Sequence, residues 1–120
     1  LLLPMNFERG SQPGMNEVMA AQMTVVEDAL AADVQAADAD PWDNTLAYTY
    51  DDGVFHGYLY AVPDGMGIEF DKNSYLWDAE NPIYSRYVMC GHGTRVEERL
   101  LAENWQELVS TEDLVVYKRS

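Results

Sequence analysis

The run Cys90-Gly91-His92-Gly93-Thr94 gathers the residue types that nucleophilic and anion-binding sites use. A cysteine attacks as its thiolate, and a neighbouring imidazole or a helix start favours that anion. Cys90 and His92 are therefore a candidate thiolate pair. The two glycines allow a tight turn whose backbone N–H groups face outward. If that turn opens a helix, the positive end of the helix dipole adds to them, and an anion can be held there. Gly91, His92, Gly93 and Thr94 are the candidate anion-binding residues. The competing reading is a glycine-rich connection into a capped helix, with Cys90 half-buried beside it. A Walker-type phosphate loop is excluded, because Gly93 stands where its Lys must precede the Ser/Thr.

The metal-ligand types are His56, Cys90, His92 and many carboxylates, but no Cys-x-x-Cys or His-Glu-x-x-His spacing occurs. Asp38-Ala39-Asp40-Pro41-Trp42-Asp43 resembles the start of a calcium loop. It lacks the Gly needed at the sixth position and the Glu needed at the twelfth, which is Thr49. Asp51-Asp52 fits a turn better than a catalytic dyad. The residues thus assign no metal, no cofactor and no catalytic group.

Charge is the stronger signal. Between Gly10 and Asp71 there is no Lys or Arg, yet twelve Asp or Glu occur: Glu17, Glu27, Asp28, Asp33, Asp38, Asp40, Asp43, Asp51, Asp52, Asp64, Glu69 and Asp71. Acids without basic neighbours project a negative field beyond contact distance. The net charge of −14 far exceeds the roughly 2–8 units that keep a small domain soluble. Nucleic acid and anionic membrane, themselves polyanions, are excluded as direct partners. A basic protein surface is favoured. The lone Cys90 allows no intrachain disulfide and leads us to expect a reducing, cytoplasmic setting. No apolar run approaches the ~18 residues of a membrane span.

The elements that must position these residues are legible in the periodicity. With 48% hydrophobic residues in 120, the chain can bury a core and is one domain long. Residues 1–14, with Pro4, Gly10, Pro13 and Gly14, read as an irregular lead-in; residues 15–120 read as a single α+β domain. Met15, Met19, Met23, Val26, Leu30, Val34 and Ala37 recur at helical spacing and predict a helix over 15–38. Asp33 sits at the edge of that stripe as a small defect. The three Met read first as core filler, with a plastic docking face, or a homodimer contact, as the sharper possibility. Strands are expected at Thr45–Tyr50, Val54–Val62, Met66–Asp71, Tyr75–Trp77, Ile83–Cys90 and Leu114–Tyr117, with turns at Asp51-Asp52-Gly53 and Pro63-Asp64-Gly65. A second helix is expected over Arg95–Val109, opened by a Thr94/Glu97 capping box. The fold class is α+β in two layers: an antiparallel sheet of four to six strands packed with an N-terminal helix and a second helix before the last strand.

Gly91-His92-Gly93, between a strand and a helix, resembles the glycine half of the Arg/Gln-x-x-Gly-x-Gly/Ala turn of GNAT-type N-acetyltransferases. Asp52-Gly53-Val54-Phe55-His56-Gly57-Tyr58 resembles a hairpin common in that family. Val88 occupies the Arg/Gln position, and the resemblance covers about a third of the chain. It implies that Gly91–Thr94 would bind the pyrophosphate of coenzyme A in an acyl transfer.

Two function classes follow, beside a third possibility, a structural or assembly component of a larger particle with the Met face as its docking surface. One is a small acidic binding protein, an inhibitor or immunity-type protein that imitates nucleic acid and docks on a basic partner through Glu27, Asp28, Asp38, Asp40, Asp43, Asp51 and Asp52. Its bland counterpart is acidity that serves only solubility or salt tolerance. The other class is the acyltransferase implied by the Gly91–Thr94 turn.

Overall fold

The computed structural model of the chain describes residues 15–37, 44–49, 63, 66–71 and 75–119. Helix α1 spans Met15–Ala36. Strand β1 follows at Thr45–Thr49, β2 at Gly67–Asp71, a 3-10 turn at Tyr75–Trp77, and β3 at Tyr87–Gly91. Helix α2 is Arg95–Ala102, and β4 (Gln106–Ser110) and β5 (Leu114–Lys118) close the order. The expected lead-in, the strand at Val54–Val62 and the turn at Asp51-Asp52-Gly53 lie outside the described residues, as does all of Pro63-Asp64-Gly65 except Pro63. Among the described residues no helix is long and apolar enough to cross a membrane.

The five strands form one mixed sheet in the order β2-β1-β3-β5-β4. The α+β class holds, but the sheet is not strictly antiparallel: β1 runs parallel to both β2 and β3. Only β3–β5 and β4–β5 are antiparallel, the latter with a register shift between Glu107 and Val109. Gly67 faces Thr45 in the β1–β2 register, and a Cβ there would lie 2.8 Å from Thr45 Cγ2. That close approach is why glycine begins β2.

Alternation along the strands builds two cores. Leu46, Tyr48, Tyr87, Met89, Leu114 and Val116 face α1, whose Val26, Leu30 and Val34 are buried against them. Met19 and Met23 pack onto the same cluster, so this stretch of the Met stripe serves the core. Ala47, Val88, Cys90, Val115 and Tyr117 point the other way, toward Leu76, Val96, Leu100 and Trp105. Helices therefore cover opposite faces, and the expected two layers become three. The central strands β3 and β5 are buried on both faces.

Three element boundaries differ from the sequence expectation. Tyr75–Trp77 is a 3-10 turn, not a strand; the Leu76 carbonyl accepts from Arg99 Nη1 (2.8 Å) while its side chain enters the second core. Strand β3 begins at Tyr87 rather than Ile83, because the Ile83 and Ser85 carbonyls ahead of it are held by the Arg119 side chain. The Arg119 guanidinium donates to Ile83 O and Ser85 O, and the Arg119 N–H to Arg86 O. Helix α2 stops at Ala102 instead of Val109. Asn104 adopts φ 64°, its N–H donates to Leu101 O, and the Trp105 N–H donates to Leu100 O. This is a Schellman close with an asparagine in the left-handed position, and Trp105 packs with Leu100 in the second core as that motif favours. Residues 106–110 are freed to form β4, so α2 precedes two strands rather than one.

The turn between β4 and β5 is tied to α1 by a buried glutamine. Gln22 Oε1 accepts from Thr111 Oγ1 (2.5 Å) and from the Asp113 N–H (2.9 Å), and Gln22 Nε2 donates to Asp113 Oδ2 (2.7 Å). Every polar atom of the amide head that could be left dry has a partner, which is what makes its burial tolerable.

Candidate functional site

Strand β3 carries Gly91 to the edge of the second core, and Thr94 caps α2. Thr94 Oγ1 accepts from the Glu97 N–H (3.3 Å) and donates to Gly91 O (2.8 Å). The expected cap therefore forms, but its reciprocal half is displaced: Glu97 Oε1 accepts from the Gly93 N–H (2.7 Å). Gly93 sits at φ 72°, the left-handed conformation in which glycine carries no steric penalty. Glu97 Oε2 accepts from the Tyr117 hydroxyl (2.8 Å). Burial, followed by this carboxylate bond, pushes the Tyr117 phenol well above its ordinary range.

This turn already holds an anion. The Glu97 carboxylate takes the glycine N–H that a pyrophosphate would need, and its charge opposes a second anion at the same place. The geometry thus weighs against the coenzyme A reading of Gly91, His92, Gly93 and Thr94. The thiolate pair also dissolves. Cys90 is fully buried and points into the second core, whereas His92 is exposed.

His92 has partners that the sequence spacing did not reveal. Its Nε2 lies 2.7 Å from the Thr111 carbonyl oxygen and 3.2 Å from Ser110 Oγ, and its Nδ1 lies 3.9 Å from Glu97 Oε2. Ser110, His92 and Glu97 trace the outline of a catalytic triad. The roles fail, however. A carbonyl oxygen at 2.7 Å accepts only, so Nε2 must carry a proton and cannot take one from Ser110. The ring instead joins the β3–α2 turn to the β4–β5 turn. These partners sit 18 and 19 residues away, beyond any local motif.

The acidic residues proposed to meet a partner divide by position. Glu27 and Asp28 are exposed on α1, and among the described residues neither has an ion-pair partner. Asp38, Asp40, Asp43, Asp51 and Asp52 lie outside the described residues. Glu17 is also exposed; eleven residues before Asp28, it stands on the same side of the helix, about 16 Å away along the axis. Asp33 behaves differently. Its Oδ1 accepts from Lys118 Nζ (2.8 Å) and its Oδ2 from the Tyr87 hydroxyl (2.7 Å), which staples α1 to the sheet. Burial alone would raise its carboxyl. The bonds from Lys118 and Tyr87, with the charges of Lys118 and Arg86, outweigh burial and hold it below the usual carboxylate range.

Three other cations of the described residues are directed elsewhere. Arg99, buried, donates to Leu76 O, Asn81 O and Glu103 Oε2. Arg119 lies over the Trp105 ring at 4.7 Å, and Arg95 over Trp77 at 4.3 Å. None of these faces the exposed acids of α1. Among the described residues no group of three His, Cys, Asp or Glu could hold a metal ion. No family model, no curated protein and no solved structure matches this chain.

Proposed function

We propose that the protein is a small acidic docking protein whose α1 surface engages a basic partner, in the manner of an inhibitor that imitates nucleic acid. One observation carries this reading: Glu27 and Asp28 stand exposed on α1 with no ion-pair partner among the described residues, while Lys118, the cation that does reach α1, is paired with Asp33. Carboxylates on a rigid helix hold their spacing, so they can present an ordered anionic array to Lys and Arg side chains. Rim charges of this kind set association rate and specificity, so single substitutions should act mildly and combined ones severely. Glu17 extends the array along the same helix. The fixed exposure of the acids favours this reading over acyl transfer, whose anion position is taken by Glu97.

The test is competitive displacement. DNA-binding proteins of the source organism are loaded with a fluorescent duplex, and the protein is titrated in at two ionic strengths. Release of the duplex at low salt, weakened at high salt and lost in the combined Glu17→Lys, Glu27→Lys, Asp28→Lys variant, is the expected result. Displacement by the triple variant as strong as by the parent would overturn the reading, as would no displacement from any of those proteins.

A further inference from the structure

On the face of the sheet opposite α1, a groove of about 440 Å³ runs between α2 and the segment after the 3-10 turn. Its walls are Trp77, Ala79, Arg95, Glu98, Ala102 and Glu103. We infer that this groove binds a small zwitterion of the amino-acid class, with the ligand carboxylate on Arg95 and its ammonium on Glu98. The inference is separate from the docking role of α1.

Arg95 is the anchor. Its guanidinium lies over the Trp77 ring at 4.3 Å, which fixes the plane of the fork without consuming its N–H donors. Among the described residues it has no carboxylate or carbonyl partner, although the chain is rich in acids. A planar fork with open donors is suited to a carboxylate, which it can take in two parallel hydrogen bonds. Stacking has already restricted the arginine's rotamers, so less entropy is lost when the ligand arrives.

The rest of the groove decides against a simple anion. Glu98 lies one helical turn from Arg95 on the groove side of α2, exposed and without an ion-pair partner among the described residues. Glu103 is bound to Arg99 Nε at 2.9 Å, so its charge is largely answered. Arg99, which also lines the groove, is buried and held by Glu103 and two backbone carbonyls, so it serves as structure there. What remains is one open cation and one open carboxylate, a complementary pair for a molecule bearing both charges. A phosphate or nucleotide would meet Glu98 as a like charge and an overall field of −14. Ala79 and Ala102 leave room for a side chain, and the volume falls in the range used for small ligands.

The experiment is an ¹H–¹⁵N titration of the full chain with free amino acids, followed through the Trp77 indole and Arg95 guanidinium signals. The tightest probe is then compared with its amide, which lacks the carboxylate, and with its N-acetyl form, which lacks the ammonium. The free amino acid should shift both signals at millimolar concentration, and each blocked form should bind at least about tenfold more weakly. Arg95→Lys, which keeps the charge but loses the fork, and Glu98→Gln should each weaken the free amino acid by a similar factor. Both positions are exposed, so the variants should fold. No shift up to about 10 mM, or equal binding of the blocked forms, would overturn the site. α1 variants should leave this titration unchanged, which keeps its outcome distinct from that of the displacement assay.

Discussion

Asp33 is the residue where charge, packing and pH meet. It lies at the edge of the α1 stripe and is largely buried, with 14% of its side chain exposed against 24% for Lys118. Two donors converge on it, and their geometry reports a folded-state preference for the ionised form. The sign of the pH effect follows. Because the folded carboxyl is held below its ordinary value, Asp33 adds stability that is complete above the unfolded value of about 4 and disappears as pH falls through the folded one. Tyr87 acts at the other limit. Burial first, then the bond to Asp33, pushes its phenol up to about 12. Its contribution is complete below the unfolded value of about 10 and is lost as pH rises through about 12. Asp33→Asn should lower unfolding stability at pH 7 by about 1–2 kcal/mol and flatten its dependence on pH in the acid range. Urea unfolding at several pH values between about 3 and 7 checks both statements. An acid limb as steep as that of the parent would show that the pairing with Lys118 contributes nothing to stability.

At the scale of elements, the end of α2 shows why local sequence patterns can mislead. Val96, Leu100, Leu101, Trp105 and Leu108 continue a helical period past residue 103, yet the helix stops. Asn104 decides the matter, because asparagine tolerates the left-handed conformation that lets Trp105 turn back onto Leu100. Asn104→Gly should therefore be neutral or stabilise slightly, and Asn104→Val should destabilise by about 1–2 kcal/mol, read from denaturant midpoints. If valine were tolerated, the backbone turn rather than the residue type would be setting the boundary. The α1 stripe was legible because Val26, Leu30 and Val34 obey one period, and so was the Thr94 cap because it depends on residues three apart. Parallel pairing of β1 with β3 was not, since nothing in Thr45–Thr49 alone distinguishes a parallel neighbour from an antiparallel one. The start of β3 is not legible in its own residues, because Arg119, more than thirty residues on, claims the carbonyls of Ile83 and Ser85. The candidate turn is legible in its glycines, and the Glu97 carboxylate on the Gly93 N–H is a local contact four residues away; the Thr111 carbonyl on His92, nineteen residues away, is a consequence of tertiary placement that no local pattern carries.

For the whole molecule, the governing quantity is the net charge of −14. Like charges held on one compact body repel one another more than they do along an unfolded chain, so the field that attracts a basic partner also works against folding. Salt separates these effects. The screening length falls from about 10 Å at 0.1 M to about 3 Å at 1 M, shorter than most distances between exposed carboxylates. The melting temperature should therefore climb with added salt. The Glu17→Lys, Glu27→Lys, Asp28→Lys variant should be more stable than the parent at low salt, by about 1 kcal/mol or several degrees, and the two should converge near 1 M. A functional face and a merely solvating one then make different forecasts for the same variant. If α1 meets a basic partner, the substitutions that strengthen the fold must weaken duplex displacement, the trade-off expected where a surface is kept unfavourable for the sake of binding. If the acids serve solubility alone, the variant gains stability with no binding to lose. Scanning calorimetry across a salt series, run on the same preparations as the displacement assay, distinguishes the two. A melting temperature indifferent to salt would mean that the acids of α1 do not feel one another, and would remove the electrostatic basis for an extended anionic face.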